Sequence, residues 1–450
     1  MFRMVDGPNF KYTLVFLLSW LPVYCRGQPC NLTVQFECEL KLLNMTSDGL
    51  ARLRYLLKQH TNEVVPPTIT VNKIIVAESL SGVFIQRIGD YTESLYYSTY
   101  KESVFRFPAG SSIVEMYISN ANYLRSFIAG PGTALHSLGI GRSQLERWPE
   151  TIGMLSRLRE LSITDSKLTT VDIASFAANT QLRVVNLRNN HIDRIVRQAI
   201  DSPLELAIES VSLATNRIVL LDMAVYASMP LLREILMPEN RIQRIGTSEP
   251  FTAHNLTTLV LSGNQITQLN LTDLTLPMLE YLTLDDNAID TIPSDWTNVP
   301  SLRVLSLERN HLKQLDMSAL RQLQSLDVLY LGGNYIEQVW TSAPVKLANL
   351  RTIHLVQNRI RVVNLRGCQL PQINSMFLMD NPISTVPSVF KLFPRLHVSL
   401  DSTKIRCRVL LPYRGLMIEG RLFTEYVEEN STCATDSYVQ VDDLKACCLA

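Results

Sequence analysis

Residues 302–312 read Leu302-Arg303-Val304-Leu305-Ser306-Leu307-Glu308-Arg309-Asn310-His311-Leu312. The same phrase returns along most of the chain, with apolar residues at positions 1, 4, 6 and 11 and asparagine at position 9. The asparagines are Asn190, Asn216, Asn240, Asn264, Asn287, Asn310, Asn334, Asn358 and Asn381. Neighbouring members of this series are separated by 23 to 26 residues, so one structural unit is repeated many times.

This period and phrase are typical of a leucine-rich repeat. One unit cannot bury its own leucines, so the units must stack and share a core. The short extended part of each unit pairs with the next unit, and the asparagine satisfies backbone groups where the chain turns away. The sequence therefore predicts an α/β solenoid, a horseshoe with a parallel β-sheet on the concave face and disulfide-bonded caps.

The repeat extends in weaker form beyond the asparagine series. Ser166, Ser143, Ala121 and Ser79 occupy the asparagine position of four upstream units, the last of them built on Val71, Ile74 and Val76. A degenerate unit is expected around Tyr97 to Val104, and a last imperfect one at Leu400 to Ile405 with Thr403 in the asparagine position. We expect about fourteen repeats over residues 68–406.

The N-terminal region has the features of a secretory signal followed by a cap. Basic residues precede a short apolar run at residues 14–21, and residues 1–27 are predicted to be a signal peptide. Residues 28–67 are expected to form an N-terminal cap, stapled by Cys30 and Cys38 and containing a helix from Ser47. No other stretch is long enough to span a membrane. Five glycosylation sequons also favour a secreted chain: Asn31, Asn44, Asn255, Asn270 and Asn430.

Four cysteines lie in residues 407–450, which we predict to be a C-terminal cap. They are Cys407, Cys433, Cys447 and Cys448. In an oxidising compartment they predict two disulfides, and their spacing is unlike that of a zinc site. Because the adjacent pair cannot easily bond to each other, each is expected to reach Cys407 or Cys433, with the pairing left open.

Cys368 stands apart from both caps. It follows Asn358 by ten residues, which places it on the back of the horseshoe. It is expected to be a buried, reduced thiol. The alternative is a disulfide to another chain.

Nothing in the sequence predicts an enzyme or a cofactor. The fingerprints of serine hydrolases, zinc peptidases, phosphate-binding loops and dinucleotide folds are missing, and the seven histidines are scattered without metal-ligand spacing. The 42 basic and 42 acidic residues balance, and no basic stripe suggests nucleic acid. We therefore expect no catalytic or metal site, and a partner that is a protein or a glycan.

The concave face offers a candidate partner site. Strand side chains alternate, so positions 3, 5 and 7 of the phrase point away from the core. In three late repeats these positions gather a set of large apolar and aromatic side chains, here called the distal patch: Val328, Tyr330, His354, Val356, Phe377 and Met379.

A charged margin adjoins the distal patch in the two preceding repeats. It consists of Asp285, Asp286, Glu308 and Arg309, of which Asp285 and Glu308 are candidate partner contacts. An exposed apolar group of this size usually marks a contact surface. The alternative is that the C-terminal cap folds over the distal patch and makes it core.

The cysteine arrangement of the C-terminal cap, after a signal peptide and a cysteine-bearing N-terminal cap, resembles that of the mosquito leucine-rich repeat immune proteins. The resemblance covers essentially the whole chain. It implies secretion into haemolymph and a structural role for Cys407, Cys433, Cys447 and Cys448. The best-known members form disulfide-linked pairs that hold a complement-like thioester protein. They continue into a coiled coil, whereas this sequence stops two residues after Cys448, so it resembles the branch without a coil.

Two functional hypotheses follow. The first is a secreted protein of innate immunity that binds a haemolymph protein, such as a complement-like thioester protein or another leucine-rich repeat chain, or a microbial surface. The second is an extracellular adhesion or signalling module that binds a receptor during development. The two differ in where and when the protein is expressed.

Overall fold

The computed structural model describes the backbone of residues 37–40, 43–44, 68–71 and 74–75, and then residues 81–90, 92–197, 205–401, 404–428 and 431–450. The predicted signal peptide, Cys30, Asn31, Asn430 and the helix expected from Ser47 lie outside these residues. Cys38 and Asn44 are described by their backbone alone.

A parallel sheet of 17 strands forms one face of the solenoid, and each strand pairs with the next one along the chain. The strands are Glu37–Leu40, Thr68–Val71, Ser94–Tyr97, Glu115–Ile118, Ser137–Gly141, Glu160–Thr164, Val184–Asn186, Ser210–Ser212, Glu234–Leu236, Thr258–Val260, Tyr281–Thr283, Val304–Ser306, Val328–Tyr330, Thr352–His354, Ser375–Phe377, His397–Ser399 and Leu422–Phe423. The predicted leucine-rich repeat solenoid is thereby confirmed. Fifteen strands lie within residues 68–406, and each predicted cap contributes one more.

The repeated phrase builds this sheet because its apolar positions point inward. Leu305 and Leu307, at positions 4 and 6, are fully buried, and so are Leu329 and Leu331 in the next repeat. Position 5 between them faces away from the core, as the alternation of a strand requires. The core is a continuous stack shared by all repeats, which a single repeat could not form.

The asparagines connect neighbouring repeats. The Nδ2 atom of Asn334 donates to the carbonyl oxygens of Leu331, 3.1 Å away in its own repeat, and of Leu307, 2.8 Å away in the preceding repeat. Its Oδ1 accepts the Leu312 backbone N–H at 3.0 Å. All nine asparagines accept such a bond from the repeat before them. These asparagines therefore stabilise the turn of their own repeat, as predicted, and also link it to the preceding repeat.

Position 8, immediately before the asparagine, has a left-handed backbone in eleven consecutive repeats. The residues there are Arg142, Asp165, Asn189, Thr215, Glu239, Gly263, Asp286, Arg309, Gly333, Gln357 and Asp380, with φ between 49° and 68°. This conformation favours Gly, Asn and Asp. It was not apparent in the sequence, because five of the eleven residues are of other types: Arg142, Thr215, Glu239, Arg309 and Gln357.

The opposite side of the solenoid is built from short strands and 3₁₀ turns. The strands, all in parallel ladders, are Leu43–Asn44, Ile74–Ile75, Val104–Phe107, Ser126–Ala129, Thr170–Asp172, Arg194–Val196, Leu220–Asp222, Arg244–Gly246, Phe251–Thr252, Leu274–Thr275, Leu315–Asp316, Gln338–Trp340, Val345–Lys346, Val362–Val363 and Cys368–Gln369. The 3₁₀ turns here are Glu150–Met154, Ile173–Phe176, Met223–Tyr226 and Met317–Leu320. The last three begin with an aspartate whose side chain accepts a backbone N–H, as at Asp316, which accepts from Ser318 at 2.9 Å.

The register predicted for the first repeats was wrong. Val71, Ile74 and Val76 were assigned to a strand with Ser79 in the asparagine position, but the strand is Thr68–Val71. It pairs Ile69 with Leu95 and Val71 with Tyr97. The segment after it leads instead into the helix Ser81–Ile88.

The degenerate repeat lies slightly before its expected place. Its strand is Ser94–Tyr97, which puts Tyr100 in the asparagine position. The Tyr100 hydroxyl donates to the Val104 carbonyl at 2.7 Å, so a phenol stabilises this turn where an amide does so in the nine asparagine-containing repeats.

Two disulfides close the C-terminal region, Cys407–Cys448 and Cys433–Cys447. Each of the adjacent cysteines bonds to one of the two single cysteines, as predicted. The region contains the helices Cys407–Leu410 and Arg414–Ile418, the 3₁₀ turn Leu411–Tyr413, and an antiparallel sheet of Tyr426–Glu428, Tyr438–Val441 and Leu444–Cys447.

Candidate functional site

Three rings from adjacent strands form a stacked column on the concave face. Strand register places Tyr330 beside His354 and His354 beside Phe377. The ring centroids of Tyr330 and His354 are 4.5 Å apart with 18° between planes, and those of His354 and Phe377 are 4.4 Å apart with 11° between planes. These distances are close to the spacing of neighbouring strands, so the sheet itself sets the stacking. We call these three residues the aromatic column.

The rest of the distal patch surrounds the column and stays accessible. Val328 and Val356 are half-buried, as are the three rings, and Met379 is 43% exposed. The structure therefore brings together all six residues that the sequence placed in the distal patch.

The C-terminal cap does not fold over the distal patch. It extends the sheet instead, because the strand Leu422–Phe423 pairs with His397–Ser399, placing Leu422 beside Val398 and Phe423 beside Ser399. Phe423 thus continues the position-5 series beyond Phe377 and Ser399, and it is 44% exposed. Its ring lies 6.1 Å from that of His397. The structure therefore contradicts the alternative prediction, in which the C-terminal cap covers the distal patch.

The charged margin is held by a dense set of polar contacts. Asp285 accepts the Ser306 hydroxyl and, at 2.9 Å, the Glu308 backbone N–H. Arg309 holds Asp286 through two bonds, Nε to Oδ1 at 2.6 Å and Nη2 to Oδ2 at 2.8 Å. Its Nη1 is 3.5 Å from the Glu308 carboxylate. The margin is therefore a hydrogen-bonded group of three carboxylates and one guanidinium.

Burial changes the acid–base properties of this region. Burial, followed by the neighbouring Asp285 carboxylate, raises the pKa of Glu308. Burial also raises the pKa of Tyr330, with further contributions from Glu308 and Asp285. The pKa of His354 is lowered by burial, which favours the neutral form of its imidazole. The Arg309 hydrogen bond lowers the pKa of Asp286.

A second pair of stacked rings near the other end of the same face was missed by the sequence analysis. Tyr96 and Tyr117 lie at position 5 of neighbouring strands, with ring centroids 4.6 Å apart and 20° between planes. Tyr117 leans over Gly139, where an added Cβ would come within 2.4 Å of its Cδ1 atom. We call Tyr96 and Tyr117 the proximal pair. Placing the degenerate repeat at its observed position in the sequence would have identified the proximal pair.

Two of the sequon asparagines, Asn255 and Asn270, have side chains that the structure describes, and both are exposed. The Asn255 amide donates to the Pro230 carbonyl at 2.8 Å. The Asn270 Oδ1 atom accepts the Thr272 hydroxyl at 2.6 Å and its backbone N–H at 3.0 Å. Neither is at an outward position of a concave strand, so glycans there would leave that face open.

Cys368 is a free thiol in the outer strand Cys368–Gln369 and is half-buried. Burial, assisted by the Asp316 carboxylate, raises its pKa to about 11. The thiol is therefore protonated at neutral pH, which slows disulfide exchange. The reduced thiol and the intermolecular disulfide both stay predictions.

Within the described residues, no group of three or more His, Cys, Asp or Glu side chains is placed to hold a metal ion. Nor does any helix in that part of the chain have the length and apolar character needed to cross a bilayer.

Comparisons with known proteins support the repeat and the fold. The leucine-rich repeat family pattern matches residues 277–336. Leucine-rich repeats and immunoglobulin-like domains protein 3 of Homo sapiens is 29% identical over 191 residues, 42% of this chain and 16% of that protein. Podocan of Mus musculus is 27% identical over 218 residues, 43% of this chain and 35% of that protein. The chain thus matches only a minor part of these relatives' lengths.

Two solved structures resemble the whole solenoid. The crystal structure of the LRIM1/APL1C complex has a TM-score of 0.55 and 15% identity, covering 92% of this chain and 69% of that one. The APL1 leucine-rich repeat domain has a TM-score of 0.51 and 14% identity, covering 90% of this chain and 94% of that one. At such identities the likeness establishes the fold alone.

Proposed function

We propose that this chain is a secreted, non-enzymatic protein of innate immunity that binds another protein through its concave face, with the distal patch as the main contact. The observation that carries the proposal is the aromatic column, which stays accessible because the C-terminal cap continues the sheet beside it. Aromatic side chains at the centre of an accessible, mainly apolar patch are frequent hot spots of protein interfaces.

The immune assignment rests on the cysteine arrangement and on the resemblance it implies. The confirmed pairing of the adjacent cysteines with the two single cysteines fits the structural role expected from that family. The LRIM1/APL1C structure, which is a complex of two chains, has the same solenoid fold. A haemolymph protein, such as a complement-like thioester protein or another leucine-rich repeat chain, is the proposed partner, with a microbial surface as the other candidate.

The test is capture of partners from haemolymph on the immobilised full chain under non-reducing conditions. Tyr330→Ala with Phe377→Ala should abolish capture, because both ends of the aromatic column are removed. Tyr96→Ala with Tyr117→Ala is the matched control, since it removes two stacked rings from the same face and should leave capture intact. Unchanged capture by the first variant, with secretion and folding preserved, would overturn the proposal.

The developmental alternative predicts a different expression pattern. Induction in blood cells or fat body after infection supports the immune role. Expression confined to patterned embryonic tissue, without any response to infection, would contradict it and favour a receptor-binding adhesion or signalling module.

A further inference from the structure

The ring of Tyr330 has one covered face and one open face. His354 covers the first at a centroid distance of 4.5 Å. On the other side, the residue paired with Tyr330 in the neighbouring strand is Ser306, whose small side chain is itself buried. Among the described residues, His354 is the only ring that stacks on Tyr330. The column therefore ends at Tyr330 with a ring face above a serine.

Two carboxylates border this open face. Asp285 is hydrogen-bonded to the Ser306 hydroxyl and to the Glu308 backbone N–H, so its position beside Ser306 is fixed. The Oε1 atom of Glu308 lies over Gly332, 3.2 Å from where a Cβ at that residue would be. Residues 306 and 332 are small, so neither of their side chains is large enough to stack on the phenol ring.

The negative charge there is only partly balanced. Arg309 is the nearest cation, and its two short bonds go to Asp286, with a longer contact of 3.5 Å to Glu308. In the described part of the chain no ion pair involves Asp285. Burial raises the pKa of Glu308 and the nearby Asp285 carboxylate raises it further, so an added cation would relieve the repulsion between the two carboxylates.

We propose that the concave face recognises an arginine of its protein partner, whose guanidinium stacks on the open face of Tyr330 and donates hydrogen bonds to Asp285 and Glu308. This inference rests on the proposed function and specifies its partner as a protein with an exposed basic segment. A guanidinium fits better than an ammonium group, because it is planar, stacks on aromatic faces and offers donors that match two carboxylates.

The test uses three short peptides, N-acetyl-Gly-Xaa-Gly-amide with arginine, lysine or citrulline in the middle. Binding to the full chain is followed by the NMR signals of the His354 imidazole, which lies under Tyr330. The arginine peptide should give saturable shifts. The lysine peptide should bind several-fold more weakly, and the citrulline peptide, which has the same shape without the charge, should give no saturable shift.

Two variants separate the site from general charge attraction. Asp285→Asn with Glu308→Gln should weaken arginine-peptide binding at least about tenfold, since two charge-assisted contacts are lost. Asp380→Asn, which removes a carboxylate from the same rim three repeats beyond Glu308, should leave binding unchanged. Equal binding of the citrulline or lysine peptide, or no effect of the double variant while it remains folded, would overturn this inference.

The outcomes also distinguish this inference from the proposed function. If haemolymph capture depends on Tyr330 and Phe377 but the arginine peptide does not bind, the arginine site is wrong and the function stands. If the peptide binds as expected but capture is unaffected by Tyr330→Ala with Phe377→Ala, the proposed function is wrong.

Discussion

The imidazole of His354 lies face to face with the ring of Phe377, with centroids 4.4 Å apart and 11° between planes. With Tyr330 on its other face, the imidazole is shielded from water, and burial lowers its pKa. The protonation state of His354 therefore depends on the arrangement of the distal patch, because protonation would place a positive charge between two aromatic rings.

The first prediction concerns that titration. The His354 imidazole should titrate in the folded protein below the ordinary value of about 6.5. The associated stability is present above that value and is lost as the pH falls through the lowered pKa of the folded state. His354→Phe keeps a ring in the column and removes the titration, so it should lose less thermal stability than the wild type between about pH 7.5 and about pH 5. NMR titration and melting curves provide the measurements, and an imidazole midpoint at or above the ordinary value would contradict the prediction.

Glu308 should show the opposite dependence. Burial and then Asp285 raise its pKa, so the folded protein is destabilised by the ionised carboxylate, and this penalty disappears as the pH falls through the raised pKa. Glu308→Gln should therefore melt at a slightly higher temperature than the wild type at neutral pH, and the difference should shrink in acid. A variant that is less stable at neutral pH, or a difference that grows in acid, would show that the contact with Arg309 outweighs the repulsion.

Asn334 should be important for stability alone. Asn334→Ala removes the bonds to Leu307 and Leu331 and leaves the Leu312 N–H buried without its acceptor. We expect a loss of about 2–4 kcal/mol in the free energy of unfolding. Asn364→Ala is the control, because Asn364 is exposed and accepts only a local bond from Arg366. Urea unfolding of the two variants compares them, and equal losses would refute a special role for the repeat asparagine.

The accuracy of the structure predicted from the sequence depended on how closely each repeat follows the leucine and asparagine phrase. Where asparagine and leucine recur together, the strand register and the placement of the six distal-patch residues on one face were predicted correctly, because burial at positions 4 and 6 leaves one choice. Their role in partner binding stays a prediction. In the first repeat, Ile69 and Val71 compete with Ile74 and Val76, which have the same two-residue spacing. Only pairing with Ser94–Tyr97 selects between them.

The parts of the concave face that were missed have different causes. The proximal pair was missed because the repeat containing Tyr96 was placed a few residues too late. Phe423 could not be found from the repeat, because the chain passes through the helices of the cap before returning to the sheet. No periodic signal marks that return, and it is governed by packing against residues far along the chain.

Gly139 should control the orientation of the proximal pair. In Gly139→Ala the new Cβ would meet the Tyr117 ring at 2.4 Å, so the ring must move away and its stack with Tyr96 must loosen. We expect altered near-ultraviolet circular dichroism and a cost of about 1–3 kcal/mol in stability. Gly246→Ala is the control, since nothing lies within 4 Å of its added Cβ. An unchanged tyrosine signal in Gly139→Ala would contradict this account of the pair.

The two cap disulfides should differ in their contribution to stability. Cys407–Cys448 spans 41 residues and Cys433–Cys447 spans 14. If constraint of the unfolded chain dominates, replacing the first pair with alanines should cost about 4 kcal/mol and the second about 3 kcal/mol. Thermal unfolding of the two double variants tests this order. A larger loss from the shorter loop would show that packing around Cys433 and Cys447 matters more than chain entropy.

The direction of the asparagine bonds affects how the protein is made. Each of the nine amides accepts an N–H from the repeat before it, so every turn is completed by a residue about two dozen positions later in the chain. On a growing polypeptide, a repeat would therefore lack this bond until the asparagine of the next repeat has been synthesised.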